Sequence, residues 1–363
     1  ISGCSYPNFT KMILHVKLQI VNYNALRSRA FFVRFLSSFW IVQGEKMTIV
    51  CTGSIAYDYL MKFPGLFKEH ILPENIESLS LSFLVESLVR LRGGIAPNIA
   101  YTLALLGEKL PIVFATVGED FYDYGQWLAV KGVDISYIKV IAGEFTASFF
   151  ANTDLANSQI ASFYPGAMAC ASEYSLTELK IRPDLVVISP NDPQAMINYV
   201  EECIDSDIPY FYDPSQQIVR MDGADIRRGV ENAYSLFVNE YEYKLLLKHT
   251  GLSEDQIRSL VKFTVVTCGE KGSIIYMDNE IIEVPCAVVQ SIVDPTGVGD
   301  AYRGGFIRGF LLGFDLASCG RMGAVAAAYC LEEKGTQAHT YTIAEFTERY
   351  QQNFGIALNI KEQ

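Results

Sequence analysis

From residue 47 onward, short apolar runs alternate with segments of helical periodicity, and this alternation constrains the fold more than any other feature of the sequence. A short apolar run between turn residues predicts a buried strand, whereas apolar residues three or four positions apart predict a helix. Strands that alternate with helices form a mostly parallel sheet with helices on both faces. We therefore predict strands at residues 48–52, 111–117, 185–189, 209–212, 236–238, 264–267 and 273–277, and helices at 97–106, 121–130, 192–203 and 241–249.

Three further segments predict a second, smaller sheet. Residues 85–92 and part of 146–151 alternate between apolar and polar side chains, and residues 159–164 also have the composition of a strand. Such alternation is typical of a sheet that has one face in contact with solvent. The sequence contains neither an internal repeat nor a linker rich in Pro, Gly or Ser. We therefore expect one domain at residues 47–363, with strands of the small sheet drawn from about 57–92 and 145–165.

Residues 1–46 do not share this pattern, because they contain six basic residues and one acidic residue. One interpretation is an organelle transit peptide, for which a basic, acid-poor composition is typical. A membrane anchor is disfavoured because charges interrupt the apolar stretches. The third interpretation is a non-native extension upstream of a start at Met47, and we favour it because residues 47–53 already have the composition of a first core strand.

Charge and cysteine content exclude several classes of protein. The net charge of −12 disfavours binding to nucleic acid, which requires a basic surface. The eight cysteines show neither C-x-x-C spacing nor a pairing pattern, which indicates a reducing cytosol rather than a disulfide scaffold or a zinc site. We therefore expect a cytoplasmic protein without a membrane partner, unless residues 1–46 direct the chain to an organelle.

Residues 294–300 (DPTGVGD) combine glycines and an acid at the start of a predicted helix. Gly297 and Gly299 allow a ligand to approach the backbone closely. The free N–H groups and the positive dipole end at the beginning of a helix form a binding site for phosphate or a developing oxyanion. Asp300 would repel a resting phosphate at this position, so its presence favours a proton acceptor. Taken alone, the segment is equally compatible with a glycine turn capped by an aspartate.

Two more motifs accompany this heptapeptide. Residues 93–100 (GGIAPNIA) place a glycine pair before a predicted helix, and residues 267–272 (TCGEKG) follow a predicted strand. Together the three motifs resemble the ribokinase-like (PfkB) family of carbohydrate and nucleoside kinases, in the family's order and spacing. The resemblance implies a three-layer α/β/α sandwich with a mostly parallel central sheet and a small β-sheet lid. It also implies ATP-dependent transfer of the γ-phosphoryl group to a hydroxymethyl group of a sugar or ribose-containing substrate.

The same resemblance implies roles for residues near the acceptor. Asp300 would accept the proton of the acceptor hydroxyl. The backbone amides that would hold the charge on the phosphoryl oxygens are those of Gly297, Val298 and Gly299. The residues that would bind acceptor hydroxyl groups are Asp58, Gly93, Gly94 and Asn98. Arg303 lies on nearly the same helix face as Asp300, and its role is open between an ion pair and a catalytic cation.

An N-x-x-E motif at the end of a predicted strand resembles the family's nucleotide-binding motif and so implies which residues bind ATP and its metal ion. Asn239 would contact phosphate, and Glu242 would organise water around Mg²⁺, which prefers oxygen ligands. The loop residues that would lie against the phosphate and the ribose of ATP are Thr267, Gly269 and Gly272. Asp294 and Thr296 match positions that bind a monovalent cation in some family members, which makes K⁺ a further expected ligand.

The sequence narrows the acceptor without deciding it. Acidic hydroxyl-binding groups without a cluster of cations favour a neutral polyol over a phosphorylated sugar. Residues 163–168, 213–217 and 335–337 resemble the adenosine-kinase-like branch of the family, which favours adenosine or another nucleoside. The alternative is a free sugar such as ribose or fructose. A non-catalytic binding protein is disfavoured because Asp300 and the glycines are retained, and both a monomer and a homodimer are compatible with the sequence.

Overall fold

The computed structural model describes residues 47–71 and 81–360, so the segment 1–46 lies outside the described residues. The strands are β1 (Ile49–Thr52), β2 (Ala56–Lys62), β3 (Ser87–Gly93), β4 (Ile112–Val117), β5 (Ile138–Val140), β6 (Ala147–Thr153), β7 (Gln159–Tyr164), β8 (Leu185–Ile188), β9 (Tyr210–Tyr212), β10 (Ser235–Asn239), β11 (Phe263–Thr267), β12 (Ser273–Met277) and β13 (Glu280–Val284). The helices are α1 (Phe67–His70), α2 (Ile95–Leu105), α3 (Tyr122–Val130), α4 (Pro193–Asp205), α5 (Gly223–Asn232), α6 (Glu240–Thr250), α7 (Glu254–Leu260), α8 (Val298–Leu311), α9 (Leu316–Leu331) and α10 (Ile343–Phe354). Among these described residues, no helix has the length and apolar character that a membrane span requires.

The large sheet has the strand order β13-β12-β11-β10-β9-β8-β1-β4-β5. All neighbours from β11 to β5 are parallel, whereas β12 and β13 extend one edge in antiparallel pairing. The seven strands expected from apolar runs correspond to β1, β4, β8, β9, β10, β11 and β12. The sequence does not predict β5 and β13, because these edge strands are mostly exposed and therefore lack a continuous apolar run.

Helices cover both faces of the large sheet, as alternate residues of β9 show. Tyr210 and Tyr212 belong to a core cluster that also contains Met196 of α4 and Val230 of α5. Phe211, between the two tyrosines, packs edge-on against Phe310 of α8, with ring centroids 5.0 Å apart. Because neighbouring residues of a strand face opposite sides, the sheet is the middle of three layers. The predicted α/β/α sandwich is confirmed.

The small sheet has the order β3-β2-β6-β7. Strand β2 pairs antiparallel with β3 and parallel with β6, and β7 pairs antiparallel with β6. Every residue of β7 is exposed, so the sheet has a wide solvent face, as the alternation predicts. The sequence analysis expects strands of this sheet within about 57–92 and 145–165 but gives no bounds for β2. Asp58 lies within β2, at the centre of this sheet, paired with Leu91 and Phe149.

Helices α2 and α8, which begin at the two glycine motifs, pack closely against each other. Gly304 of α8 lies so near α2 that a Cβ at this position would be 2.6 Å from the Cβ of Thr102. Arg308 is 2% exposed and donates from Nε to the carbonyl of Leu106 at 3.0 Å. It also forms a buried ion pair with Glu108. These contacts fix the C-terminal half of α2 against α8.

Candidate active site

Helix α8 begins directly after a glycine in the left-handed conformation. Gly297 is the N-cap, with φ 75° and ψ 0°. A Cβ on Gly297 would lie 2.7 Å from the Cβ of Thr336, so glycine is required by packing as well as by the backbone angle. The N–H groups of Val298 and Gly299 lie in the first turn, where a helix provides no intrahelical partners. The helix therefore begins where the glycine motif predicts.

Asp300 lies in the first turn of α8 and ends a chain of hydrogen bonds. Asn98 donates from Nδ2 to Asp300 Oδ2 at 2.8 Å. The Oδ1 atom of Asn98 accepts from Gln337 Nε2 at 2.9 Å and from Thr336 Oγ1 at 2.8 Å, which directs the Asn98 amide nitrogen toward the carboxylate. The Thr336 hydroxyl shares its proton with the carbonyl of Arg92, also at 2.8 Å. Burial raises the pKa of Asp300 to about 6, although Arg303 and the bond from Asn98 lower it. This pKa suits a proton acceptor, because acid–base catalysts work best near the operating pH.

Arg303 brings a second carboxylate close to Asp300. Its Nη2 atom donates to Asp213 Oδ1 at 2.7 Å, and its Nη1 atom lies 3.7 Å from Asp300 Oδ1. Asp213 is 1% exposed, and burial raises its pKa against the opposing charge of Arg303. The sequence analysis includes Asp213 in a family-like stretch without giving it a role. The usable signal is an acid directly after a buried parallel strand, where ligands of such sheets bind.

Asp58 lies against the glycine pair that begins α2. A Cβ on Gly93 would be 2.8 Å from Asp58 Oδ2. Gly94 is the N-cap of α2 with φ 99°, and a Cβ there would be 2.4 Å from the carbonyl oxygen of Ser54. Burial, with a smaller contribution from the charge of Asp294, raises the pKa of Asp58 to about 6. The predicted acceptor-side residues are thus brought together by close packing.

A cavity of about 70 Å³ lies between the small sheet and the start of α8. Its lining residues are Asp58, Leu60, Leu91, Phe149, Asp294, Thr296, Gly335 and Thr336. The small sheet contributes a carboxylate and three apolar side chains to this wall. Thr336 donates to Asn98, and Asn98 donates to Asp300. Two hydrogen bonds therefore link the cavity wall to the predicted proton acceptor.

Asn239 and Glu242 cap helix α6 reciprocally. Oδ1 of Asn239 accepts from the N–H group of Glu242, and Oε2 of Glu242 accepts from the N–H group of Asn239, both at 2.8 Å. Oε1 of Glu242 also accepts from Ser215 Oγ at 2.9 Å. This capping box is a structural reason for both residue types. It also holds Asn239 beside Thr267, its partner in the parallel pair β10–β11.

The loop after β11 contains two glycines with different surroundings. Gly269 has φ 58°, and a Cβ there would have no described atom within 4 Å. Gly272 has φ 92°, and a Cβ there would lie 2.0 Å from the carbonyl oxygen of Val284. Packing against β13 therefore accounts for Gly272. Gly269 leaves an open backbone surface that fits the close approach of a nucleotide.

The residues expected to bind metal ions supply oxygen atoms without forming a metal cage. In the described part of the chain, no three His, Cys, Asp or Glu side chains are grouped as a metal site. Asp294 accepts from the N–H groups of Thr296 at 2.9 Å and Gly335 at 3.0 Å, so its carboxylate also holds this loop. The partly buried carboxylate of Glu242 is a hard oxygen donor, which fits an Mg²⁺ ion held through water.

Comparisons with known proteins identify the family of this chain. Residues 48–343 match the family described as pfkB family carbohydrate kinase. The chain is 30% identical to a nucleoside kinase of Methanocaldococcus jannaschii over 312 residues, which are 85% of this chain and 99% of that protein.

Solved structures of a Burkholderia thailandensis nucleoside kinase have the same fold. Its complex with inosine is 37% identical, has a TM-score of 0.76, and is matched over 85% of this chain and 99% of that chain. Its complex with ADP-inosine is 36% identical, with a TM-score of 0.75 over 87% and 99% of the two chains. The family match covers most of the chain, and the fold is the same as that of a solved nucleoside kinase. This chain therefore belongs to the pfkB family of carbohydrate kinases.

Proposed function

We propose that this protein is an ATP-dependent nucleoside kinase, which transfers the γ-phosphoryl group of ATP to the hydroxymethyl group of a ribose. The observation that carries the proposal is the pair of hydrogen bonds that links the cavity wall, through Thr336 and Asn98, to Asp300. The cavity wall includes Thr296, directly before Gly297, so a hydroxyl group there would lie beside the start of α8 and two hydrogen bonds from the carboxylate of Asp300. Phosphoryl transfer to an alcohol requires this combination of a proton acceptor and an anion site.

In the transfer step, Asp300 accepts the hydroxyl proton. The hydroxyl oxygen forms a bond to the γ-phosphorus while the bond from that phosphorus to the β-phosphate oxygen breaks. The amides that hold the developing charge on the phosphoryl oxygens are those of Gly297, Val298 and Gly299. A magnesium ion bound with ATP would neutralise charge on the phosphates. Glu242 would orient water molecules around that ion.

The cavity wall supports a nucleoside as the acceptor. Asp58 would accept hydrogen bonds from two vicinal hydroxyl groups of the ribose, beside Asn98 and the closely packed glycine pair Gly93 and Gly94. The apolar residues that would contact the base are Leu60, Leu91 and Phe149. A free sugar presents hydroxyl groups on most sides and would leave them against this apolar surface. The related kinase of B. thailandensis binds inosine.

We assign the nucleotide to the carboxyl ends of β10 and β11. The residues that would contact ATP are Asn239, Thr267, Gly269 and Gly272. Asp294 and Thr296 would hold a monovalent cation, and we expect K⁺ to increase turnover through them. Replacement of K⁺ by tetramethylammonium at constant ionic strength tests this assignment, and equal turnover in the two salts would contradict it.

We also assign the kinase domain to residues 47–363 and place residues 1–46 outside it. The family match, which begins at residue 48, supports this boundary. Deletion of residues 1–46 should leave kcat/KM and the melting temperature unchanged. A truncated chain that is insoluble or inactive would contradict the assignment.

A coupled ADP-release assay with Mg-ATP tests the proposed function directly. Inosine, adenosine, cytidine, ribose and fructose are compared as acceptors. We expect kcat/KM for at least one nucleoside to exceed that for both free sugars by about tenfold or more. The Asp300→Asn variant, purified identically, is the control for contaminating kinases. A preference for ribose or fructose would overturn the assignment to nucleosides.

A further inference from the structure

The guanidinium group of Arg303 lies between two carboxylates that are distant in the sequence. Its Nη2 atom donates to Asp213 Oδ1 at 2.7 Å, and its Nη1 atom lies 3.7 Å from Asp300 Oδ1. The first contact is a close hydrogen bond, and the second is a longer ion pair. Asp213 therefore anchors Arg303 at a fixed place beside Asp300.

This cluster contains polar atoms without partners although it is buried. The side chains of Arg303 and Asp300 are each 13% exposed, and that of Asp213 is 1% exposed. Among the described residues, Nε of Arg303 and Oδ2 of Asp213 have no hydrogen-bond partner. Unsatisfied charged groups in a buried place reduce stability. An ion pair that served only to hold α8 against the end of β9 would not require polar atoms without hydrogen-bond partners.

Arg303 also lies against the start of α8. A Cβ on Gly299 would be 2.9 Å from Arg303 Nη1, so the guanidinium group lies directly beside this residue. Asp300 is the next residue in the chain. In a site from which water is largely excluded, a positive charge at this distance acts strongly on a neighbouring carboxylate.

We propose that Arg303 is a positioning residue for phosphoryl transfer, which Asp213 holds in place so that its charge keeps the Asp300 carboxylate ionised in the buried site. The proposal rests on the proposed function in that Asp300 is taken as the proton acceptor. Asp213 has a second effect, because its own negative charge limits how much of the positive charge acts on Asp300.

Groups from several elements face Asp300. They are Arg303 on α8, Asn98 on α2, Glu242 on α6, Asp213 after β9 and Cys330 on α9. Burial disfavours the charged form of Asp300, as does the charge of Glu242, whereas Arg303 and Asn98 favour it. The thiol of Cys330 stays neutral, because burial raises its pKa to about 12. Arg303 is thus the positive charge within this group.

The arrangement predicts opposite effects for two substitutions that break the same ion pair. Arg303→Met removes the positive neighbour, so the pKa of Asp300 should rise and its protonated, inactive form should persist to higher pH. Asp213→Asn removes a negative neighbour, so the pKa of Asp300 should fall. If the ion pair were only structural, both substitutions would break the same contact and would change activity in the same direction.

The first test is the pH dependence of kcat with inosine and Mg-ATP. In Arg303→Met the acidic limb of the kcat–pH profile should move up by about one pH unit. On this limb kcat should be about tenfold lower than in the wild type at the same pH, and it should recover at alkaline pH. In Asp213→Asn the limb should move down, and Arg303→Lys should stay near the wild type because the positive charge is retained. Arg349→Met is the matched control, because Arg349 forms an ion pair with Glu332 outside the site. These two side chains are 13% and 15% exposed, close to the 13% of Arg303 and of Asp300.

A second measurement does not depend on turnover. In protein labelled with ¹³C-aspartate, the carboxyl resonance that is absent from Asp300→Asn identifies Asp300, and its titration gives the pKa in each variant without substrate. If the wild type phosphorylates no nucleoside, the proposed function fails, yet this titration still shows whether Arg303 controls the ionisation of Asp300. If Arg303→Met does not fold, Arg303→Gln, which also removes the positive charge, takes its place in the comparison with Asp213→Asn.

Two results would overturn the proposal. One is an unchanged Asp300 titration in both Arg303→Met and Asp213→Asn. The other is a shift of the same sign in these two variants. Either result would leave Arg303 as a structural ion pair.

Discussion

Helix α8 carries two arginines, Arg308, which is buried, and Arg303, which is 13% exposed, and they differ in how far their hydrogen-bonding capacity is used. The three nitrogens of Arg308 contact the carbonyls of Leu106 and Gly107 and the carboxylate of Glu108. Arg303 makes one close hydrogen bond, and its Nε atom has no partner among the described residues. Full satisfaction is expected where a charge only holds helices together. Incomplete satisfaction beside Asp300 indicates a charge retained for the reaction.

We therefore expect the two arginines to separate stability from chemistry on one helix. Arg308 acts between α8 and the end of α2, whereas Arg303 acts at the start of α8. If this separation holds, substitutions at the satisfied site should change the free energy of unfolding and spare turnover. Substitutions at the unsatisfied site should do the reverse. The predictions below test this separation, from the largest expected effect to the smallest.

Arg308→Met should have the largest effect. It takes the guanidinium partner from the buried Glu108, so the free energy of unfolding should fall by about 3–5 kcal/mol. Because Arg308 does not contact Asp300, kcat of the folded protein should change by less than about threefold. Urea denaturation and turnover measure the two quantities. Arg308→Met combined with Glu108→Gln should recover part of the stability, and no recovery would show that the loss does not come from the charge of Glu108 left without Arg308.

Asp300→Asn should have the converse effect. Removal of the proton acceptor should lower kcat by about 10² or more, which is about 2.7 kcal/mol in transition-state stabilisation. The free energy of unfolding at neutral pH should not fall, because a buried charge is removed and an acceptor for Asn98 remains. Asp315→Asn, at the N-cap of α9, is the matched control and should keep wild-type turnover. Near wild-type kcat in Asp300→Asn would disprove the role as proton acceptor.

Asp58→Asn should stabilise the protein in a pH-dependent way. The folded-state pKa of Asp58 is about 6, raised from 3.8, so the folded state binds more protons than the unfolded state between these values. The stability of the wild type should therefore decrease as pH rises through this window. The substitution should add about 1–3 kcal/mol at neutral pH and little near pH 4. It should also raise KM for the nucleoside and not for ATP, and equal stabilisation at both pH values would contradict the cause given.

His339 tests whether an incompletely satisfied buried group always serves the reaction, as the comparison of Arg303 with Arg308 implies. Its ring nitrogens have no partner among the described residues, it is 1% exposed, and it does not line the cavity. Burial lowers its pKa from 6.5 to about 4, so the folded state binds fewer protons than the unfolded state between these values. The stability of the wild type should therefore fall as pH decreases through this window.

His339→Phe should reduce this fall, with a gain of about 1–2 kcal/mol near pH 5 and almost none at pH 8. Turnover at pH 8 should change by less than about twofold. Thermal unfolding at the two pH values and kcat measure these effects. A large loss of kcat would show that unpartnered buried groups away from the cavity also serve the reaction, and the comparison would then fail.

Much of the fold is predictable because burial and periodicity are local properties. Strands such as β4 and β8 are buried along their whole length, so they appear as apolar runs in the sequence. Strand β2 is different, since only its first two residues are buried and its pairing comes from β3 and β6. The position of Asp58 at the centre of the small sheet could not be inferred from its neighbours in the chain.

The candidate site also has features that the sequence predicts and features that only the fold brings together. The glycines before Asp300 and the Gly-Gly-x-x-x-Asn motif at residues 93–98 are contiguous, so the sequence analysis identifies them. Their contact, between Asn98 and Asp300, joins residues 202 positions apart. The pairing of Arg303 with Asp213 spans 90 positions and has no signal of its own in the sequence. The roles of these residues in catalysis stay predictions until the variants are measured.

The sequence by itself determined the layered α/β fold, the glycine-capped start of α8 and the family, because apolar runs, helical periodicity and glycine turns are written in neighbouring residues. Only the tertiary structure decided which charges surround Asp300 and which side chains line the cavity. The physical reason is that distance, burial and the pKa of a carboxylate depend on groups from separate elements. Those groups meet only when α2, α8 and the strand ends pack together.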